Sequence, residues 1–163
     1  MLVKGPNSYT IDQIKDAIQD GLMAVTNVIL TQAVIPGAGA FELTASRRLM
    51  SFAAKTEAGS KAKLGIEILA KALEALPKAI VQNAGFDSQD MILKNQALSN
   101  ESNGDRLYYG INIANGDLFD PVKAGLYDNF AVKSNMIGAA VMVVKNFMSI
   151  DAVIKSAPEG MRK

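Results

Sequence analysis

Apolar residues recur at three- and four-residue steps through most of this chain, and only one stretch alternates every second residue. From Ile11 the apolar positions continue at Ile14, Ile18, Leu22, Val25 and Ile29, a single stripe along a helix. Asp12, Asp16 and Asp20 form a separate acidic stripe at four-residue spacing. Thr10 with Gln13 three residues on has the form of a capping box, so a first helix is expected from Thr10 to about Gln32. Phe41, Ala45, Leu49 and Phe52 share one face of a second helix, broken at Ala58-Gly59-Ser60. A third carries Leu64, Ile68, Leu69, Ala72, Leu73, Leu76 and Ile80 on one side. Pro77 sits inside it and is a point where it can kink, and Gly85 is placed to cap its C-terminal end.

A shorter helix is expected from Asp87 or Ser88 to Ala97, followed by a polar loop, Ser99 to Asp105. Leu107, Tyr109, Ile111 and Ile113 then alternate with Tyr108, Gly110 and Asn112, which is the period of a strand. Asn115-Gly116 is a strong hairpin signal, with the return through Leu118. A last long helix carries Ile137, Ala140, Val141, Val144 and Met148. Leu2-Val3, before the turn Gly5-Pro6-Asn7, reads as a strand end whose partners would lie outside this sequence. Ile150 to Ile154 reads as a closing strand, and the polar tail beyond, residues 158–163 above all, is expected to be loose. The fold class is therefore mainly α, with one β-hairpin and short terminal strands.

Composition narrows the chemistry. The chain has 163 residues, enough for one domain with a sizeable core. With 17 basic and 16 acidic residues it offers no charge-based reason for a nucleic-acid or anionic-membrane partner. Cys and His are both absent, so disulfides, Cys/His zinc sites, thiol nucleophiles and His-based triads are excluded. The lack of Cys fits a reducing compartment. The longest apolar run, Met136 to Val144, is shorter than the ~20 residues of a membrane helix. MLVKGPNSYT has no basic stretch leading into an apolar one, so no secretory leader is expected there. A mean hydropathy of +0.13 is somewhat high for a soluble domain and suggests apolar surface covered by something outside this chain.

Five places could carry chemistry. Pro36-Gly37-Ala38-Gly39-Ala40 leads into a helix, and a helix start suits anions; a tight interhelical turn is the simpler reading. The run lacks the Gly-Lys-Ser/Thr of a phosphate loop. Asp20, opposite the apolar stripe, either is solvated or orients water or Mg²⁺ beside a phosphate. Asp128 either caps a helix or accepts hydrogen bonds from a sugar. Asn112 lies on the open face of its strand, and Lys133 is most simply a surface lysine.

Their order along the chain is more specific than any one of them. KGPNSYTIDQIKDAIQDGLMAV, AVIPGAGAFEL, the helix ending QNAGFD, YYGINIANGD, AGLYDNFAVKSNMI and SIDAVIK together resemble the C-terminal part of group II chaperonins. The resemblance implies that residues 1–32 are the end of an intermediate domain, a strand end plus a descending helix. Residues 33–157 would be the C-terminal half of an equatorial ATP-binding domain. It maps the water-orienting aspartate to Asp20, backbone contacts with nucleotide to Gly37, Ala38 and Gly39, the adenine side to Asn112 and Ile113, and ribose to Asp128, with Lys133 near the nucleotide. It implies ATP and Mg²⁺ as cofactors of a parent subunit, other subunits in a double ring and unfolded clients as partners, and a cytoplasmic location.

There are departures. Ala38 stands where most of that family has Gly, and Asn112 where many members have Asp. The family's Gly-Asp-Gly-Thr-Thr phosphate loop, with its Mg²⁺-binding aspartate, is absent from the sequence, so no metal ligand is assigned and the chain alone is not expected to bind nucleotide tightly or turn it over. A free-standing helical self-association module is the alternative. A small independent nucleotide enzyme ranks lowest, for want of a phosphate loop.

Overall fold

The computed structural model describes residues 1–57, 59–101 and 108–155, the side chains of residues 99–101 excepted. The elements are α1 (Ser8–Thr31), β1 (Val34–Pro36), α2 (Ala40–Lys55), α3 (Lys61–Asn83), α4 (Ser88–Glu101), β2 (Gly110–Asn112), β3 (Asp117–Phe119), β4 (Tyr127–Asn129) and α5 (Phe130–Met148). The fold is mainly α, with two small antiparallel sheets. Among the described residues, no helix is long and apolar enough to cross a membrane.

Local chemistry sets most boundaries. α1 begins one turn earlier than the capping-box pattern suggests. Asn7 is its N-cap, and its Oδ1 accepts from both the Thr10 amide and the Thr10 hydroxyl at 2.8 Å. α3 runs through Pro77 as one helix and ends in a Schellman motif. The Gly85 N–H donates to Gln82 O and the Phe86 N–H to Val81 O, with Gly85 at φ +86°, a conformation that costs glycine no Cβ clash. α4 continues to Glu101, so the expected loop at Ser99 begins inside a helix. Leu107 lies outside the described residues, and β2 is confined to Gly110–Asn112.

The hairpin forms with Ile111 opposite Leu118. The two terminal strands do not: residues 1–5 and 150–155 carry no strand. Instead β1 pairs with β4, Ile35 opposite Asp128. This ribbon has no strong sequence signal, because each strand is three residues long and one of them ends in Pro36.

The core is Leu43, Val81, Met91, Ile92 and Ile111, with Phe86 and Leu118 packed against it. It sits where α2, α3, α4 and the hairpin meet. The helix faces differ from those expected. α2 buries Leu43, Ser46 and Ala53, while Phe52 is exposed. α3 buries Ala70, Leu73, Pro77 and Val81 against α2. Leu64, Ile68, Leu76 and Ile80 stay open. Both faces of α3 are apolar, and periodicity alone does not say which one a neighbour covers. α1 and α5 bury no residue; they lie against each other and against β4. Here too the expected stripes, from Leu22 to Ile29 and from Val141 to Met148, are largely exposed.

The two faces of α3 should respond differently to truncation. Leu73 is 6% exposed, Leu64 59% and Ile68 67%. Leu73→Ala is expected to cost about 2–5 kcal/mol, and Leu64→Ala or Ile68→Ala within about 0.5 kcal/mol, in urea unfolding of this chain.

Candidate functional site

The site is built around the turn between β1 and α2. Gly37 continues the ribbon past Pro36 by donating its N–H to Leu126 O at 3.1 Å. There is no room for a side chain there: a Cβ would come within 2.9 Å of Leu126 Cδ2 and 3.4 Å of Asp128 Oδ1. Ala38 and Gly39 both take the left-handed conformation, at φ +56° and +75°. For Ala38 this costs roughly 1–2 kcal/mol. The Ala38 carbonyl accepts from the Ile111 N–H at 3.0 Å. A Cβ on Gly110 would lie 2.6 Å from that of Ala38, so the bare Gly110 backbone accommodates the Ala38 methyl. Gly39 is the N-cap of α2 and lies against Pro77, buried in α3.

The charged part comes from three elements. Asp128 is the middle residue of β4. Asn129, not Asp128, caps α5: its Oδ1 accepts from the Ala131 N–H at 3.0 Å. That leaves the Asp128 carboxylate free to meet Lys133, one turn into α5, whose Nζ lies 3.0 Å from Asp128 Oδ2. Lys133 also donates to Glu42 Oε1. Glu42 lies in the first turn of α2 and is only 2% exposed. A cation near a helix start opposes the helix dipole and an anion there is favoured, so Lys133 depends on its carboxylates while Glu42 is doubly suited. Burial by itself would lower the pKa of the Lys133 ammonium. The hydrogen bonds and charges of Glu42 and Asp128 outweigh it and hold the value above the ordinary lysine range. Glu42 Oε2 is buried without a hydrogen-bond partner.

These groups open onto a cleft of about 520 Å³. Leu76, Pro77 and Ile80 of α3 form one wall, with Ile111, Ile113 and Phe119 of the hairpin region, Leu126 and Met136 completing the apolar lining. Ala38, Gly39, Asn112, Ile113, Asp128 and Lys133 all line it. Gly37 sits behind, against Leu126 and Asp128. Asp20 is exposed on α1 and does not line the cleft. Asn112 has a turn role as well, its Oδ1 accepting from the Ala114 N–H at 3.0 Å. Lys133, simplest as a surface lysine, is instead mostly buried.

Sequence reasoning missed Glu42. A carboxylate three residues after a glycine N-cap was the available signal, since that position faces back toward the preceding loop. Two carboxylates and one ammonium leave the polar corner with one net negative charge. Among the described residues no group of three carboxylates converges that could hold a metal ion. The cleft thus combines apolar walls with hydrogen-bond acceptors, and its one cation is already engaged. That suits an aromatic ring carrying hydroxyl or amino donors better than a polyphosphate.

Residues 1–158 match the TCP-1/cpn60 chaperonin family. The chain is 34% identical to human T-complex protein 1 subunit zeta-2 over 162 residues, covering 99% of this chain and 30% of that protein. It is 35% identical to the mouse protein of the same name, with the same coverage. Among solved structures, the open-state monomer of a group II chaperonin from Methanococcoides burtonii superimposes with a TM-score of 0.73 at 26% identity, covering 91% of this chain and 36% of that one. The chain spans about a third of the length of these relatives.

Two measurements probe the geometry. The Lys133 pKa is raised on folding, so its contribution to stability is complete below the ordinary lysine value of 10.5 and falls as pH rises through the folded value. Lys133→Met should cost about 3 kcal/mol at neutral pH, by stranding Glu42, and should flatten the loss of stability above pH 10.5 relative to the parent chain in urea titrations. Gly110→Ala should cost about 1–3 kcal/mol by overpacking against Ala38. Part of that cost should return in the Ala38→Gly, Gly110→Ala double variant, measured the same way.

Proposed function

This chain belongs to the TCP-1/cpn60 chaperonin family, and we propose that it is a portion of an ATP-dependent chaperone subunit, carrying the nucleoside side of the nucleotide site. The observation that carries this reading is the convergence of Ala38, Gly39, Asn112, Ile113, Asp128 and Lys133 on one cleft. In this reading residues 1–32 belong to an intermediate domain and residues 33–157 to half of an equatorial domain. The adenine lies between the apolar walls beside Asn112 and Ile113. The Asp128 carboxylate accepts hydrogen bonds from the ribose, and the Glu42–Lys133 pair fixes its orientation. Asp20 orients the attacking water when α1 swings toward bound nucleotide, a rearrangement of the kind that couples closure to turnover in other enzymes.

ATP and Mg²⁺ supply the phosphoryl chemistry in the parent assembly. The residues present fit only part of that group. Among the described residues the cleft has no free cation and no converging carboxylates for Mg²⁺, and the sequence has no Gly-Asp-Gly-Thr-Thr loop. Preorganised phosphate and metal contacts provide most of the rate in phosphoryl transfer. The partners are other subunits of a hetero-oligomeric ring in the cytoplasm and the unfolded proteins that such a ring encloses.

A second reading is favoured by the apolar residues left open on α1 and α5, including Leu22, Ile29, Val144 and Phe147. Here the chain is a self-association module without nucleotide turnover. Native size in source cells separates the two. A polypeptide about three times longer, consistent with the 30% coverage of its relatives, sedimenting with a very large particle, supports the chaperone subunit. A free chain of this length that forms concentration-dependent oligomers supports the module.

For the isolated chain, titration with ATP should show no saturation at micromolar concentration and no phosphate release. Saturation there, with hydrolysis abolished by Asp20→Ala, would refute the half-site reading.

A further inference from the structure

A second cavity, of about 440 Å³, lies between α2, α3 and α4, apart from the cleft just described. Its chemistry is set by Arg47. Nη2 of Arg47 donates to Asn95 Oδ1 at 3.2 Å, and Asn95, itself 4% exposed, is held by donating to Tyr109 O at 3.3 Å. The guanidinium is therefore fixed in place by a buried amide. Its Nη1 lies beneath the surface with no hydrogen-bond partner, and no carboxylate among the described residues lies within ion-pair distance of Arg47 or of Lys71, which lines the same cavity. Burial, and secondarily the neighbouring Arg48, lowers the Arg47 pKa, as expected for a cation removed from water without a counter-charge.

The one carboxylate in the lining is already committed. Glu74 accepts from Ser46 Oγ at 2.9 Å and from Lys78 Nζ at 3.1 Å. Two cations and one carboxylate leave the lining one net positive charge. Leu43, Met50 and Ile92 supply its apolar part.

We propose that this cavity binds a small monoanionic carboxylate, its head group paired with Arg47 and its apolar body against Leu43, Met50 and Ile92. The carboxylate pairs with the part of the guanidinium that lines the cavity; Nη1 itself is closed to a water-sized group. Glu74 on the same wall is already paired with Lys78, and it is the apolar lining of Leu43, Met50 and Ile92 that favours a carboxylate with an apolar body over inorganic phosphate. Met50 is unbranched and can shift to admit the ligand without a backbone change. The assignment is independent of the nucleotide reading of the first cleft.

The test is a titration of this chain with hexanoate, followed by NMR of the Leu43, Met50 and Ile92 methyl groups and of the Arg47 guanidinium nitrogens. The expected result is a saturable shift of both sets in the millimolar range, at least tenfold weaker in Arg47→Met, and weaker for hexanol or inorganic phosphate at equal concentration. Arg47→Lys, which keeps the charge but loses the fork, should fall between. Equal response to hexanol, an unchanged response in Arg47→Met, or guanidinium signals in the parent chain that do not move would each overturn the proposal. The last readout needs no variant and decides the matter even where Arg47→Met does not fold.

Discussion

Lys133 is the point through which three separate pieces of this chain are held in one arrangement. Its ammonium joins Glu42 at the start of α2 to Asp128 on β4, while its own backbone belongs to α5. Without it, Glu42 would be a carboxylate removed from water with neither oxygen satisfied, a cost of several kcal/mol. The β1–β4 ribbon brings Asp128 beside the turn, the Asn129 cap fixes where α5 begins, and the left-handed turn at Ala38 and Gly39 directs α2 so that Glu42 faces inward. Each is a local backbone event, and the ion pair is satisfied only when all three occur together.

The same dependence explains what could be read along the chain and what could not. Features set by neighbours in sequence were legible: the hairpin near Asn115-Gly116, the cap at Gly85, and the extent of α1 to Gln32. Features set by contacts across the fold were not. The β1–β4 ribbon joins residues more than ninety positions apart, and its three-residue strands carry no period to detect. Glu42 was passed over because its partner lies in α5, and Asp128 looked like a cap because Asn129, one residue on, has the same capping chemistry. The order of the segments carried the family and six of the residues that line the cleft, but it said nothing of the charge balance that the folded corner acquires.

Helix faces were the least legible feature. In α3 the stripe Leu64, Ile68, Leu76, Ile80 and the stripe Ala70, Leu73, Pro77, Val81 are both apolar, and each has helical spacing. Lys63, Glu67, Lys71, Glu74 and Lys78 mark the polar side of this helix, but its apolar side is broad, and α2 covers only part of it. Leu76 and Ile80 line the cleft, so part of the open stripe forms one wall of the proposed site. Leu64 and Ile68, a few turns earlier, do not share that explanation, and they are exposed like many apolar positions of α1 and α5.

Sign of charge separates the two cavities and limits what each can hold. The cleft beside Lys133 has its cation neutralised and one carboxylate charge in excess, with an orphan acceptor at Glu42 Oε2. A triphosphate placed in that corner would meet repulsion, whereas hydroxyl and amino groups would meet acceptors. The cavity beside Arg47 has the opposite balance, a fixed guanidinium short of an acceptor. Under the proposed function, the phosphates must therefore lie away from the acidic corner and be neutralised by groups that this chain does not contribute. A chain that accepts the donor-rich half of a nucleotide and repels its charged half can take part in turnover only when another segment brings the missing positive charge to the other end of the ligand.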